Sequence, residues 1–593
     1  MTISKKIASY MEAVWSLDTR SLAVFRIGLA SIILVDLVNR ARDLTAHYAD
    51  AGILPRATLW NWMYWYLSPH MISGSVYFEA ALFLIAGCFA CMLLVGYKTR
   101  LATAVTWFLL CSLLVRNPFV SNAGDGLLRL LLLWGIFLPL GASYAVDSIL
   151  AVSKRPYQVY SVGSVALILQ MVTMYVVTAL LKTGVEWHAD ATAAYYALNY
   201  DQIVRPFGLF LRQFPTLLMV CTRLVFLLEQ YGPLLFFVPF ATAQIRMLGV
   251  ILFMLFHLSL TILFHLGGFP WVGLVGLAAL IPGWFWDKVL LRLTQSEARM
   301  QARLYYDADC RFCRLSVVAL ETGLFLPDRM LEPAQLYPDV YEDMTREHSW
   351  ILHDTRGRYT GFAAFVELCR LSPVAWPFAG ILRLRPVTLG GEALYRFFAG
   401  HRPIWSRLVS RLRSSDPNRE LGAFWQGVAV FLLVYGLFWS AGSFYKMRED
   451  TLWFGYLTGL GQRWDMFAPF PTKDEGWYVM PARLQDGTVI DMWHEGRPVE
   501  WARPYMPDRY RNQHWQKYME SLWKSNRRLY YPHFASYLCH TWNAEHPDEK
   551  KVIEVQLVFM LERTLPDYKQ EPPERKDLYT YSCLEMREVQ PSP

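Results

Sequence analysis

Apolar residues in this chain come in blocks. They crowd into residues 20–290 and 422–443, leaving two stretches with the mixed pattern of soluble protein. The block from Tyr160 to Trp187 is the clearest, with no charge before Lys182. A run of that length folds as a transmembrane helix, because a helix satisfies every N–H and C=O of its own backbone inside lipid. The same pattern predicts spans near 21–38, 75–97, 99–116, 126–142, 160–181, 215–240, 244–266 and 269–286, and a ninth near 422–443. Segments 126–142 and 269–286 are short, which suits re-entrant or tilted helices as well as full spans. Pro233 is expected to kink the helix that contains it.

Between the spans, ARLYYDAD reads as a strand and RLSVVALETGLF as a helix. SWILHD and YTGF read as a hairpin, followed by the helix AAFVELCRL. In the last stretch, RLQDGTVIDMW reads as a hairpin turning at Asp486-Gly487, NQHWQKYMESLWKSNRR as an amphipathic helix, and KVIEVQLVFMLERT as a long strand. The expected fold class is a polytopic α-helical membrane protein of eight or nine spans. Its organisation is a bundle over 1–290, an inserted α/β domain over 302–412, a final span at 422–443 and an α+β or β-rich domain over 444–593.

Charge fixes an expected orientation. The chain has 593 residues, 54% hydrophobic and 18% charged, with a net charge of +7. Basic residues gather before the first span (Lys5, Lys6, Arg20), at Lys98 and Arg100, Lys154 and Arg155, Arg246, Lys288 to Arg303, and Arg402 to Arg413. All fall on one side if the N-terminus is cytoplasmic, which puts 302–412 in the cytoplasm and 444–593 across the membrane. The loop 39–74 is less regular, with Arg40, Arg42 and Arg56 on the far side. Its aromatics Trp60, Trp62, Tyr64, Trp65 and Tyr66 suit an interfacial segment. No zinc-finger spacing or basic–aromatic stripe is present, so no nucleic-acid partner is expected. The first residues lack the apolar core of a cleavable signal.

Nine cysteines divide by environment. Cys88, Cys91, Cys111 and Cys221 lie in spans and read as small buried hydrophobes. Cys310 and Cys313 sit in YYDADCRFCRLS, between a strand and a helix. There the helix N-terminus favours a thiolate, and the second thiol resolves a mixed disulfide. Half of a zinc site is the alternative, with Cys369, His348 and His353 the nearby donors, but a second cysteine pair is missing and no metal is expected. The motif Asp307, Cys310 and Cys313, with GFAAF and GGEALYRFFAGHR further on, resembles the DCC family of thiol-disulfide oxidoreductase-like domains. That resemblance implies a thioredoxin-like fold, although Arg346-Glu347-His348 stands where a thioredoxin-type site carries its cis-proline. Cys539 and Cys583 are the two cysteines of the far-side region, where an oxidising compartment favours a disulfide.

Ionisable residues inside spans are costly and mark functional candidates. They are Arg26, Asp36, Arg129, Arg223, Glu229, His257 and His265, with Asp125 and Lys182 at span edges. Five of them have a plainer reading. Arg26 snorkels to the cytoplasmic headgroups, Asp36 is interfacial, Asp125 caps a helix, His257 is a hydrogen-bonded core residue, and Lys182 reaches for headgroups. The pieces RSLAVFRIGLA, RNPFVSNAGDGLLRLLLLWGIFLPLGASYAVD, LLKTGVEW and LLEQYGPLLFFVP, with the His257 helix, resemble the HTTM domain. That membrane domain is shared with vitamin K-dependent γ-glutamyl carboxylase. The resemblance implies that Lys182 stands at the position of the carboxylase's base, while Asp125 falls near the place of its catalytic histidine. QRWDMFAPFP and YLCHTWN resemble the C-terminal part of bacterial HTTM–DCC fusions.

The expected function is a multi-pass enzyme of the bacterial inner membrane. It would act on a lipophilic quinone or a membrane-presented peptide beside Lys182, Asp125, Glu229 and His257. Asp307, Cys310 and Cys313 would couple it to a thiol redox partner. A non-enzymatic scaffold or maturation partner for a secreted peptide is the alternative. A transporter is disfavoured by the lack of two similar halves.

Overall fold

The computed structural model describes residues 3–59, 68–151, 157–294, 296–411, 421–445, 447–505, 510–524, 528–566, 569 and 571–584. The aromatics at 60–66 and the basic residues Lys154, Arg155 and Arg413 lie outside the described residues.

Among the described residues, seven helices are long and apolar enough to cross a membrane: Thr19–Ala41, Val76–Val95, Thr99–Arg116, Val162–Leu181, Pro215–Phe236, Thr242–Leu263 and Ala423–Ala441. The two short segments behave differently. Ala123–Ile136 has 14 residues, about 21 Å of helix, which is less than the hydrocarbon core. The segment at 269–286 is two helices, Phe269–Ala278 and Gly283–Leu293, bent by 83°. Pro282 stands at the break, where it can neither donate to the helix ladder nor accommodate the preceding turn. Pro233 likewise ends regular α-helix, since Pro215–Tyr231 passes into a 3-10 turn at Gly232–Phe236.

Arg26 does not snorkel. It is wholly buried, and its guanidinium donates to the carbonyls of Leu140 at 3.0 Å, Ser143 at 3.4 Å and Tyr144 at 2.5 Å. Those carbonyls belong to the loop after Ala123–Ile136 and have no helix to satisfy them, so the buried cation and the open loop solve each other's problem. Gly96, in the left-handed region at φ 72°, caps the preceding helix. A Cβ there would collide with both Ala145 and the Arg26 guanidinium, so glycine is required twice over.

Packing sorts the loops onto two faces. On one face, the strand Leu17–Asp18 pairs with Gln158–Val159, Arg20 bonds Asp287 at 2.7 Å, and Arg246 donates to the carbonyl of Ser16 at 2.9 Å. The inserted α/β region meets this face, where Tyr144 and Phe325 stack at 5.2 Å. Its sheet runs Leu331–Pro333, Arg303–Tyr306, Ile351–Asp354, Gly357–Thr360, with the first pair parallel and the others antiparallel.

The opposite face carries the C-terminal region. There Val552–Arg563 pairs with Glu574–Ser582 along one edge. Along the other edge its first half pairs with Pro481–Leu484 and its second half with Asp474–Val479. Cys539 and Cys583 are joined as a disulfide, tying helix Tyr531–Glu545 to the end of the sheet. The core of this region also takes in Tyr48, Ile53, Leu54 and Phe119 from the bundle's own loops. In return, Leu460 and Trp464 are buried in the core of the bundle.

Replacing Arg26 by Ala leaves three buried carbonyls without a donor. The expected cost is about 3 kcal/mol, read as a lower Tm of the detergent-solubilised protein. Lys should recover little of it, because one ammonium cannot span three divergent acceptors. An unchanged Tm for R26A would contradict this account.

Candidate functional site

The segment after the last span crosses back over the bundle. Gly461 O accepts from Arg129, Gln462 accepts from Gln170 at 2.8 Å, and Phe467 O accepts from Trp187 at 2.9 Å. Pro469 O accepts from the Gly184 N–H at 3.0 Å. Residues 459–470 therefore form a strap, and beneath it lies a cavity of about 500 Å³. Its walls are mainly apolar, including Met174, Leu218, Leu260, Phe264 and Phe467.

The polar end of this cavity holds Lys182 and Glu229. Lys182 caps the C-terminus of Val162–Leu181, and its ammonium pairs with the Glu229 carboxylate. The same nitrogen lies 4.0 Å from the centre of the Trp187 ring, and the Lys182 carbonyl is 2.8 Å from His188 Nε2. Lys182 is 3% and Glu229 4% exposed, so neither charge is solvated by bulk water. The plainer reading of Lys182, a side chain among headgroups, is excluded by that burial. At the rim, burial acts to raise the Glu186 carboxyl, but its bond from Lys473 at 2.5 Å prevails and holds it below the usual range. The same bond raises the Lys473 amine.

His257 is fully buried and stands behind the cavity wall. Its Nε2 is 2.8 Å from the hydroxyl of Tyr175, and Tyr175 lines the cavity. Among the described residues, Nδ1 has no hydrogen-bond partner. Gly273 faces the ring so closely that any Cβ would strike it.

Asp125 does not join them. Asn122 and Asp125 form a capping box at the start of Ala123–Ile136, with Asp125 Oδ2 accepting from the Asn122 N–H at 2.9 Å. Its other oxygen accepts from Arg40 at 2.8 Å. Arg40 also donates to Asp36 at 2.6 Å and to Tyr48 at 2.8 Å, so Asp36 is held in a buried network rather than left at an interface. Asp125 lines a second cavity, of about 970 Å³, with Arg129, Arg463 and Lys517. The two cavities share Asn122, Ala123, Asp465, Met466 and Lys517 as walls. Arg40, Trp187 and the strap were not apparent from sequence. The strap's one signal was the density of aromatics and prolines in QRWDMFAPFP.

The dithiol lies on the other face. Cys310 caps helix Arg311–Leu324, with its sulfur accepting from the Cys313 N–H at 3.2 Å, and the two cysteines are joined as a disulfide. Asp307 accepts from Gln335 at 2.8 Å. Its carboxylate and the two sulfurs lie within 4.8 Å of one another. The alternative zinc donors stay apart: among the described residues this trio alone has metal-ligand spacing, and burial pushes the Cys369 thiol up to about 11. Beside Cys313 opens a cavity of about 520 Å³ walled by Phe312, Trp350, Phe362, Phe365, Tyr395 and Phe398. Cys88, Cys91, Cys111 and Cys221 are unpaired, and they are not the buried residues expected from sequence: Cys88 and Cys91 lie on the outer surface of their span and Cys111 and Cys221 are half-buried.

Fold and sites together define a multi-pass helical membrane protein carrying an α/β dithiol domain. Residues 15–283 match the family model of the HTTM domain, and residues 304–408 match that of the DCC1-like thiol-disulfide oxidoreductase. The chain is thus a fusion of these two domains, and its function is membrane-bound and redox-related. No curated protein and no solved structure matches it.

The ion pair makes a checkable energetic claim. Lys182→Met or Glu229→Gln alone strands a buried partner and should cost about 3–5 kcal/mol. The double variant should lose less than the sum, as read by thermal unfolding in nanodiscs. Strict additivity would mean that the two groups do not interact.

Proposed function

We propose that this protein is an enzyme of the bacterial inner membrane that acts on a lipophilic substrate in the strapped cavity. The N-terminus and the dithiol domain face the cytoplasm, and residues 444–593 lie across the membrane. Three observations support that orientation. Packing separates the same two sets of loops that the basic residues separate. The α/β domain lies on the basic side. The disulfide Cys539–Cys583 suits an oxidising compartment. The strand order of the α/β domain and the placement of Cys310 at a helix N-terminus support a thioredoxin-like exchange domain.

One observation carries the reading: a lysine and a glutamate, both buried, meet at the polar end of an apolar cavity. In a dry site the charged pair and its neutral form lie close in energy, because desolvation opposes both charges. When substrate fills the cavity, the Lys182 proton passes to Glu229. The free amine then takes the proton of an acidic O–H or C–H on the substrate, a quinol or a membrane-presented peptide. His257 acts through the Tyr175 hydroxyl by fixing its direction. Asp125 positions the helix start and the shared cavity wall. The Cys310–Cys313 pair exchanges electrons with a thiol partner on the cytoplasmic side.

The larger second cavity, lined by Arg129, Arg463 and Lys517, favours a second reading, in which the far side holds a secreted peptide and the protein is a maturation partner. The two readings part in one experiment on full-length protein in nanodiscs supplied with short-chain quinols. The enzyme reading expects K182M to lower turnover by about 10²–10⁴-fold, and C310S to abolish exchange with a dithiol buffer while leaving quinol binding intact. Wild-type behaviour in both variants would overturn it.

A further inference from the structure

Helices Trp376–Leu382, Arg385–Gly400 and Arg402–Arg411 form the outer layer of the dithiol domain. They turn large apolar side chains outward. Trp376, Phe378, Ile381, Leu389, Phe397 and Ile404 are each more than half exposed. Lipid-facing positions of the spans, such as Leu84 and Val434, are exposed to the same degree. A soluble domain rarely leaves so many large apolar groups uncovered together.

Helix Arg385–Gly400 shows the design at residue level. Gly391, Tyr395 and Phe398 line the cavity beside Cys313. Leu389, Ala393 and Phe397 recur every four residues and form an exposed ridge. The helix is therefore apolar on two sides, and only one of them is covered by its own domain.

Charge says what covers the other. Residues 374–411 hold six arginines, at 383, 385, 396, 402, 407 and 411, against the single acid Glu392. Aromatic and aliphatic residues interleaved with arginines on short helices are the composition of an interfacial membrane element. Position agrees. The segment lies between Gly283–Thr294, at the bundle's edge, and the span Ala423–Ala441, and the domain already touches the bundle through Tyr144 and Phe325.

We propose that the face formed by residues 376–404 docks on the anionic phospholipid surface of the membrane that holds the bundle. The Leu389–Phe397 ridge enters the headgroup boundary and Arg385 meets lipid phosphates, while Arg383 and Arg396 pair with Glu367 at 3.0 Å and Glu392 at 3.1 Å. Helix Arg385–Gly400 then holds the Cys313 cavity against the bilayer with its opposite side.

The test uses the full chain in nanodiscs with one copy per disc and a photoactivatable anionic phospholipid as probe, with adducts mapped by mass spectrometry. Peptides from 376–404 should label as strongly as those from the Pro215–Tyr231 span, which serves as internal standard. L389E/F397E should reduce the 376–404 adducts at least about five-fold without changing those of the span. Both positions are exposed, and retention of the span adducts reports that the bundle remains folded. A zwitterionic probe should label 376–404 less than the anionic one. Absence of adducts in 376–404 beside a labelled span would overturn the proposal, as would equal labelling by the two probes. Adducts or protection that depend on a second copy in the disc would assign the face to self-association instead.

Discussion

The centre of this bundle is packed from apolar side chains, and every charge buried in it has to be answered from within the protein. Most of the architecture follows from that constraint. Arg26 is answered by the carbonyls of the Leu140–Tyr144 loop. Arg40 is answered by Asp36, Asp125 and the Tyr48 hydroxyl. Arg246 is answered by the carbonyls that end the first helix, Ala13 and Ser16. Each of these cations reaches across to another part of the chain. In a medium where an unpaired charge is costly, such contacts fix register and tilt more tightly than apolar packing, which offers many near-equivalent arrangements. Lys182 and Glu229 obey the same rule with one difference: their pair borders a cavity of about 500 Å³.

The strap at 459–470 converts that space into a site. Without it, the polar end of the cavity would open toward the aqueous face. Its bonds are largely to backbone atoms of the strap, through Arg129, Trp187 and Gly184. The strap is thus held by its path more than by its side chains, which remain free to line the two cavities. The C-terminal region and the bundle exchange core residues in both directions, so the sheet and the strapped cavity are packed together. A ligand contacting the second cavity shares five residues with the first.

The legible part of this structure is local. Span positions followed from uncharged runs, and the break at Pro233 followed from proline's missing N–H, whereas the one at Pro282 went unread inside the segment 269–286. Lys182 and Glu229 stood out because ionisable residues in spans are rare. Their pairing was not legible, since they lie 47 residues apart on helices whose rotation the sequence does not state. Asp125 was readable as a cap, but its partner Arg40 lies in the last turn of helix Thr19–Ala41, in a stretch whose arginines sat on the unexpected side of the charge pattern. QRWDMFAPFP stands out by its aromatics and prolines, but nothing in it states which surface it crosses. Its burial depends on the cavity rim it meets. Arg26 misled for a related reason: an arginine near a helix end usually snorkels, and only the unsatisfied loop beside it turns it inward.

The ion pair and the dithiol lie on opposite faces, and no chain of titratable or sulfur groups is needed between them if the carrier itself moves. The geometry of the two cavities bears on that point. Both have mainly apolar walls, with volumes of about 500 and 520 Å³, and each is bordered by one of the candidate groups: Lys182 in the first, Cys313 in the second. A water-soluble carrier would gain nothing from walls of Phe312, Phe362 and Phe398, and would have to cross lipid to serve both sites. A carrier that dissolves in the bilayer is held by the same apolar burial at either end. On the function proposed above, the pairing of an HTTM bundle with a DCC1-like domain in one chain would need no electron path through the protein, because a lipid-soluble carrier would connect the two chemistries.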